Sequence, residues 1–200
     1  LRIWPAYLAV LLLSWALTRA GVAGWHYSLD SAGLMRHLTL REGQSVLWSI
    51  PVEFTFYLWL PLVALALAWR LAGPVAVARD IGLAVLSLAL ATWAWPPSEA
   101  AVNDIRLGPY LVIFLCGAFA AYIDHRLRRL QSKPGRRVWV LLGVVAALAC
   151  VATIPSVWSL ITSAPFKADL NHRWFLFFGL AWAALLLAIL HGPGWLRAPF

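Results

Sequence analysis

The chain has 200 residues, of which 62% are hydrophobic and 12% charged, and its mean hydropathy is +0.79. This composition leaves too little polar surface for a soluble domain of that length, so it predicts an integral membrane protein. The net charge of +8 at pH 7 would favour nucleic-acid binding in a soluble chain. Here the basic residues lie between apolar runs, where they set membrane topology, and we expect no nucleic-acid partner.

Apolar runs along the chain predict about six membrane-spanning helices. Several are shorter than the ~20 residues of an ordinary span and need tilt or neighbouring helices to cross a bilayer. The predicted spans cover approximately residues 3–17, 46–69, 81–95, 110–123, 138–157 and 174–190. The expected fold is all-α, a polytopic helix bundle.

Basic residues predict the orientation of these helices. By the positive-inside rule, the densest basic loop is cytoplasmic, and a topological role is favoured over lipid-headgroup or phosphate recognition. Alternation then places Arg2, Arg70 and Arg79 on the cytoplasmic side and residues 19–44 outside. The basic loop comprises Arg126, Arg128, Arg129, Lys133, Arg136 and Arg137.

The outer segment 19–44 is expected to lie at the membrane interface. Three apolar residues are expected on one side of a short interfacial helix: Leu34, Met35 and Leu38. The segment also holds His26 and His37. Neither histidine has a partner carboxylate fixed by the sequence, so both are interpreted as interfacial polar residues.

Small residues inside the spans are interpreted as packing positions. Cys116 and Cys150 lie in apolar runs, which favours helix packing over a disulfide or metal pair. Four-residue spacing of small residues predicts close helix approach at Gly117 with Ala121, Gly143 with Ala147 and Gly179 with Ala183. The sequence contains no paired metal ligands at helical spacing, Gly-rich phosphate loop or nucleophile elbow, and we expect no metal site.

Glu53 is the one acidic residue inside a long apolar run. A carboxylate at membrane depth is costly unless it is paired, hydrated or functional. Pro51 removes a backbone donor and is expected to open a helix turn beside Ser45, Ser49, Thr55 and Tyr57. Trp48 lies beside the same stretch. Two interpretations stand: a functional carboxylate in a pocket, and an interfacial glutamate hydrogen-bonded to Ser49 or to a neighbouring helix.

Residues 47–58, Leu-Trp-Ser-Ile-Pro-Val-Glu-Phe-Thr-Phe-Tyr-Leu, resemble the Leu-Trp-Ser-Leu-x-Val-Glu-x-x-Phe-Tyr-Leu signature of the acyltransferase-3 family of membrane O-acyltransferases. Residues 1–7 are similar to the family's Arg-Ile-x-Pro-x-Tyr helix start, and residues 114–118 to its Phe-x-x-Gly element. The resemblance implies that residues 1–200 form one partial acyltransferase-3 domain, the middle helices of a larger bundle that lacks its N- and C-terminal helices.

The resemblance also implies a reaction, the transfer of an acyl group, commonly acetyl from acetyl-CoA, to hydroxyls of extracytoplasmic glycans, antibiotics or lipids. By position, Glu53 matches the motif glutamate and Arg2 the last arginine of the family's Arg-x-x-Arg element. An arginine at the cytoplasmic mouth suits the phosphates of coenzyme A, and its other interpretation is a positive-inside anchor. The family's catalytic histidine and its closing Gly-x-x-Ser-Tyr element have no counterpart, so the chain is expected to be inactive alone.

We therefore predict a membrane O-acyltransferase of the bacterial inner membrane that acetylates a hydroxyl of a cell-envelope polysaccharide or lipid-linked acceptor. Glu53 is the catalytic candidate, and the substrate-binding candidates are Arg2, Trp48, Ser49 and Tyr57. Acyl-CoA is expected as co-substrate, with no bound cofactor, and membrane lipid as a partner. One alternative is a transporter or flippase component that uses Glu53 for coupling; another is a scaffold in which Glu53 is structural. A single Pro-interrupted motif without a visible twin favours the enzyme.

Overall fold

The structure is a computed structural model that describes residues 3–72, 77–101, 104–129, 134–163 and 172–194. Within these ranges the secondary structure is helical and contains no strand, which confirms the all-α prediction. The α-helices are α1 (Ile3–Arg19), α2 (Ser31–Leu38), α3 (Ser49–Ala72), α4 (Val77–Ala94), α5 (Leu111–Arg129), α6 (Arg136–Ala152), α7 (Pro155–Thr162) and α8 (Phe175–His191).

Each predicted span coincides with helix in the structure, but the helices differ in length. Among the described residues, three helical segments are long and apolar enough to cross a membrane: Ser49–Leu71, Val77–Glu99 and Gly108–Arg129. The apolar helices α1 and α8 are shorter, at 17 residues each. Helices α6 and α7 reach this length and apolarity only together, and the bend of 87° between them is that of a broken span or a re-entrant loop.

The bend corrects the predicted span 138–157. Helix α6 ends at Ala152, and Pro155 begins α7. Ile154, the residue before the proline, has φ −68° and ψ 129°, an extended conformation. A residue before proline is pushed out of the helical region by the proline ring, so one continuous helix was the wrong expectation here.

Proline acts differently in α3. Pro51 is the third residue of α3 and is buried there. The first N–H groups of a helix have no intrahelical acceptor, so a proline at this position costs no hydrogen bond. The expectation that Pro51 opens a turn was therefore wrong. Pro61 lies in the middle of α3, where its missing N–H leaves the carbonyl of Tyr57 without its helical donor, and the helix continues to Ala72.

The chain divides into two compact units, and the first consists of Leu1–Trp59 with Ala101–Leu107. Its core joins α1, α2 and the approach to α3 through buried side chains of Tyr7, Leu11, Leu29 and Leu47. Asp30 caps α2, because its Oδ1 accepts the Gly33 N–H at 2.6 Å.

Helix α2 contributes two of its predicted apolar residues to this core. Leu34 and Leu38 pack against it, whereas Met35 is 58% exposed. The buried positions of α2 are Gly33 and His37. The interfacial placement of α2 stays a prediction, with which an exposed methionine is compatible.

The second unit consists of Leu60–Ala100 with Gly108–Phe200, and in it α8 packs against α5 and α6. A Cβ on Gly179 would lie 2.9 Å from Cys116 Sγ, and one on Gly143 would lie 3.2 Å from the Ala188 Cβ. Close approach is thus confirmed at these two glycines. A Cβ on Gly117 would meet no atom within 4 Å, so the prediction was wrong there. Cys116 and Cys150 are both free thiols.

Candidate functional site

Glu53 lies in the second turn of α3. Ser49 and Tyr57 are four residues before and after it, and this spacing places the three side chains on one face of the helix. Glu53 and Ser49 are half-buried, and Tyr57 is 43% exposed. No hydrogen bond or ion pair connects the Glu53 carboxylate with another residue that the structure describes. The carboxylate, a hydroxyl and a phenol are therefore presented together at the start of an apolar helix.

Residues next to this face of α3 are packed. Pro51, Val52 and Phe56 are buried. The hydroxyl of Thr55 donates to the carbonyl of Pro51 at 2.8 Å, so it is engaged within its own helix and does not join the face of Glu53. Burial on one side fixes the rotation of the helix and thus the direction in which Glu53 points.

Trp48 ends a short 3₁₀ turn, Ser45–Trp48, that leads directly into α3. A Cβ on Gly43 would lie only 2.3 Å from the Trp48 Cα, so a side chain at position 43 is excluded by backbone. Trp48 is half-buried. The structure thus brings together Trp48, Ser49, Glu53 and Tyr57 in one continuous stretch, whereas Arg2 lies outside the described residues.

His37 holds the loop that precedes this stretch, and it is fully buried rather than interfacial as predicted. Its Nδ1 lies 2.9 Å from the carbonyl oxygen of Gly33, and its Nε2 lies 3.2 Å from the backbone nitrogen of Gln44. Since Gly33 offers an acceptor and Gln44 a donor, the proton must be on Nδ1. Tyr7 donates its hydroxyl to the His37 carbonyl at 3.0 Å. The ring therefore ties α2, α1 and the loop together.

The sequence contained one signal for this role. Gly33 and His37 are four residues apart, and a glycine one turn before a histidine leaves room for the ring to reach the helix carbonyl. The long-range partners, Tyr7 and Gln44, could not be identified by spacing. His37 was therefore grouped with His26 by composition alone.

The segment Ala101–Leu107 adds a charged pair to the first unit. Arg106 Nη2 lies 2.7 Å from Asp104 Oδ2, and its Nε and backbone N–H also donate to this carboxylate. Burial favours a raised pKa for Asp104, but the hydrogen bonds and charge of Arg106 outweigh it and the pKa is lowered. The neighbouring Ile105 packs close to Gly43, since its Cγ2 would lie 3.0 Å from a Cβ there.

His26 lies in the exposed part of the outer segment. Its Nε2 is 3.3 Å from Ser45 Oγ, and its ring meets the Tyr27 ring edge-on with centroids 4.8 Å apart. Ser45 has a φ of +50° and Leu40 a φ of +58°, both in the left-handed region that side chains other than glycine rarely adopt. The turn into α3 is therefore strained at both of its ends.

A buried ionic cluster in the second unit was missed by the sequence analysis, which interpreted its arginines as topological anchors. Arg70 forms an ion pair with Asp80, and Arg126 Nη2 lies 3.7 Å from Asp80 Oδ2. Tyr122 donates its hydroxyl to Asp80 Oδ2 at 2.8 Å. Arg126 also donates to the carbonyls of Arg70 at 3.0 Å and Leu71 at 3.5 Å, which caps the C-terminal end of α3.

A second polar pair joins α5 to α8 in the same unit. His191 Nε2 lies 2.9 Å from Asp124 Oδ1, and its ring stacks on Trp139 with centroids 4.9 Å apart. Arg128 also pairs with Asp124, at 3.0 Å. These contacts join the C-terminal ends of α5 and α8 with the N-terminal end of α6, the helix ends that the positive-inside rule places on the cytoplasmic side.

The described residues contain no group of three or more His, Cys, Asp or Glu side chains placed to hold a metal ion.

Comparison with protein families gives one match of nearly full length. The acyltransferase-3 family, described as an acyltransferase domain, matches residues 1–199. The chain belongs to the acyltransferase-3 family. It matched no curated protein and no solved structure. The family match and the apolar helices identify this acyltransferase-3 chain as an integral membrane protein of an acyltransferase class, and the resemblance of residues 47–58 is confirmed at the level of the family.

Proposed function

We propose that this acyltransferase-3 protein moves an acyl group, most simply acetyl, from cytoplasmic acyl-CoA to a hydroxyl of an extracytoplasmic carbohydrate or lipid-linked acceptor in the bacterial inner membrane. The observation that carries the proposal is the face of α3 with Ser49, Glu53 and Tyr57, because it presents a half-buried carboxylate between two hydroxyl groups at the start of an apolar span.

The proposed roles follow from the chemistry of acyl transfer. A hydroxyl has a pKa far above neutral, so its attack on a thioester needs a group that removes or orients its proton. Glu53 would orient a base or accept a hydrogen bond from the acceptor hydroxyl. Ser49 and Tyr57 would hydrogen-bond the acceptor, and Trp48 would pack against it. Arg2 is proposed to bind donor phosphates, a role that its sequence position alone supports.

The unbroken course of α3 favours an enzyme over a transporter. Many secondary transporters form their substrate and coupling-ion sites where membrane helices are discontinuous, and the unwound backbone contributes ligands. Helix α3 begins at Ser49 and continues past Glu53 without a break. A carboxylate presented from a regular helix next to hydroxyl groups is better suited to orienting a reacting group.

The test is Glu53→Gln in the intact protein in membranes. This substitution keeps the side-chain volume and removes the charge, so turnover is expected to fall about 100-fold or more, the usual scale of an acid–base contribution. Thiol release from acetyl-CoA and acylation of a hydroxyl acceptor would both be measured, with equal protein amounts confirmed by immunoblot.

Glu42→Gln is the matched control. Glu42 is an exposed glutamate of the same unit that pairs with Arg36 at 2.5 Å, and the proposal gives it no part in the reaction. Its turnover should equal that of the unmodified protein. If Glu53→Gln also left turnover unchanged, Glu53 would be a structural residue and the proposed role would be wrong.

A further inference from the structure

Ser45 occupies a conformation that its residue type disfavours. Its φ of +50° lies in the left-handed region, in which a Cβ crowds the following carbonyl, and glycine would adopt the same backbone without that cost. Strained residues of this kind persist where the surrounding structure over-determines them, and they concentrate at functional sites. The hydroxyl is what a serine adds to this position.

The neighbours of Ser45 fix its backbone from both sides. On one side, the Gln44 N–H is bound by the fully buried ring of His37 at 3.2 Å. On the other, Trp48 packs so closely on Gly43 that no side chain fits between them. The turn cannot relax without breaking one of these contacts, so the backbone of Ser45 is held in its strained conformation.

That hydroxyl has a histidine within reach. His26 Nε2 lies 3.3 Å from Ser45 Oγ, a distance typical of a nucleophile and its base before substrate binds. The described structure gives the Ser45 hydroxyl no other hydrogen bond. His26 is exposed and Ser45 half-buried, so both are open to a substrate. A serine on a strained turn just before a helix also resembles the geometry by which hydrolases expose their nucleophile.

We propose that Ser45 is a nucleophile that carries the acyl group as an ester, with His26 as its base. The proposal rests on the proposed function for its donor and acceptor. Because residues 19–44 are predicted to lie outside, it requires that the thioester end of the cytoplasmic donor reach Ser45 through the membrane domain. In the first step, a bond forms between Ser45 Oγ and the acyl carbonyl carbon, and the carbon–sulfur bond of the thioester breaks. The hydroxyl proton passes to His26 Nε2 and then to the leaving thiolate.

The second step regenerates the serine. The acceptor hydroxyl attacks the carbonyl carbon of the acyl-serine, and the bond from that carbon to Ser45 Oγ breaks. His26 takes the proton of the acceptor and returns it to Ser45 Oγ, so neither an oxidant nor a further reactant is needed. Ser45 lies four residues before Ser49 and eight before Glu53, about one and two helical turns along the chain from the residues proposed to bind the acceptor.

The experiment traps the ester with p-nitrophenyl acetate, which requires neither coenzyme A nor the native acceptor. The intact protein in detergent is expected to release nitrophenolate in a burst of one equivalent and to carry one acetyl group on the peptide that contains Ser45, as detected by mass spectrometry after acid quench. His26→Gln should slow the burst at least tenfold. Ser28→Gly, at an exposed serine two residues after His26, is the control and should leave it unchanged.

Ser45→Gly is the decisive variant, because glycine suits a φ of +50° and removes the hydroxyl together with its Cβ. Its melting temperature should equal or exceed that of the unmodified protein, while the burst and the acetylated peptide disappear. Acetylation elsewhere, or full acyl transfer by Ser45→Gly, would overturn the proposal. Because the trap bypasses the donor, an acetylated Ser45 would support the nucleophile even if Glu53→Gln left turnover intact and the proposed function failed.

Discussion

The ring of His37 accepts a hydrogen bond from the backbone N–H of Gln44 at 3.2 Å, which joins the end of α2 to the turn that starts α3. The ring is fully buried, and its other nitrogen is bonded to the Gly33 carbonyl at 2.9 Å. A buried backbone N–H that loses its acceptor costs about 1–3 kcal/mol. His37 therefore stabilises the turn through one identifiable bond.

Two substitutions test the hydrogen bonds of the two ring nitrogens separately. Gln places an oxygen as far from the Cβ as His Nε2, so His37→Gln keeps an acceptor for Gln44, whereas His37→Asn keeps only a donor for Gly33. His37→Asn should therefore unfold at the lower temperature in detergent, and protease should cleave its loop 39–45 faster. Equal stability of the two variants would show that the Gln44 bond contributes nothing.

The fold was predictable to the extent that it follows from apolar runs. Each predicted span appears as helix because lipid forces the backbone to satisfy its own hydrogen bonds. The predictions fail where a local backbone rule, or a contact with a residue distant in the sequence, determines the structure. Pro155 breaks the predicted fifth span through its preceding residue, and Pro51 fails to break α3 because it stands in the first turn.

The candidate site was predicted less completely than the fold. Glu53, Ser49 and Tyr57 share a helix face, which four-residue spacing gives without any tertiary knowledge. The bond between His26 and Ser45 joins residues 19 positions apart on either side of α2, and its geometry depends on a positive φ at Ser45 that residues other than glycine rarely adopt. No periodic pattern encodes such a contact, so the sequence suggested no nucleophile there.

Gly179 offers a test of helix packing between α8 and α5. A Cβ at this position would lie 2.9 Å from Cys116 Sγ and 3.3 Å from the Ile113 Cα, so the two helices would have to separate. Overpacking of this kind costs about 1–3 kcal/mol. Gly179→Ala should therefore lower the melting temperature of the protein in detergent. Thermal unfolding would be measured by tryptophan fluorescence.

Gly117→Ala is the matched control, since a Cβ there would meet no atom within 4 Å. Alanine is a better helix former than glycine by about 1 kcal/mol, so this variant should be as stable as the unmodified protein or more stable. A Gly179→Ala protein as stable as Gly117→Ala would contradict the packing described here.

Asp104 gives a prediction for acid stability. Its pKa is lower in the folded protein than in the unfolded chain, because hydrogen bonds from Arg106 outweigh the effect of burial. Its contribution to stability is therefore complete above the unfolded pKa of about 4 and is lost as the pH falls through the folded value. Asp104→Asn should reduce the loss of stability between pH 5 and pH 3. If the melting temperature of Asp104→Asn fell between pH 5 and pH 3 as steeply as that of the unmodified protein, this contribution would be ruled out.

The orientation of the chain can be tested by labelling from outside the cell. Ser28 is exposed in the outer segment, and Gly135 is exposed before α6, beside the basic residues Arg136 and Arg137. In a variant without its native cysteines, Ser28→Cys should react with an impermeant maleimide in intact cells, and Gly135→Cys only after lysis. Labelling of Gly135→Cys alone in intact cells would reverse the assignment and place Glu53 near the cytoplasm.

Asp80 should be the acidic residue on which folding depends most strongly. Its side chain and that of Arg126 are only 13% and 12% exposed, and Arg70 is buried to the same degree. Removing one partner of a buried ion pair leaves an uncompensated charge and costs about 3–5 kcal/mol. Asp80→Asn keeps the shape but leaves two buried arginines without their carboxylate, so a large fall in melting temperature is expected in detergent.

A graded series shows whether the charge or the hydrogen bonding of Asp80 is responsible. Tyr122→Phe removes the hydrogen bond that the hydroxyl donates to Asp80, at 2.8 Å, and the one that it accepts from Arg126 Nε, at 3.1 Å, and should cost about 1–3 kcal/mol. Glu42→Gln removes an exposed ion pair and should have little effect, since solvent screens such pairs. If Asp80→Asn were no more harmful than Tyr122→Phe, the cluster would act as a hydrogen-bond network, and the ion pairs of Arg70 and Arg126 with Asp80 would add nothing to stability.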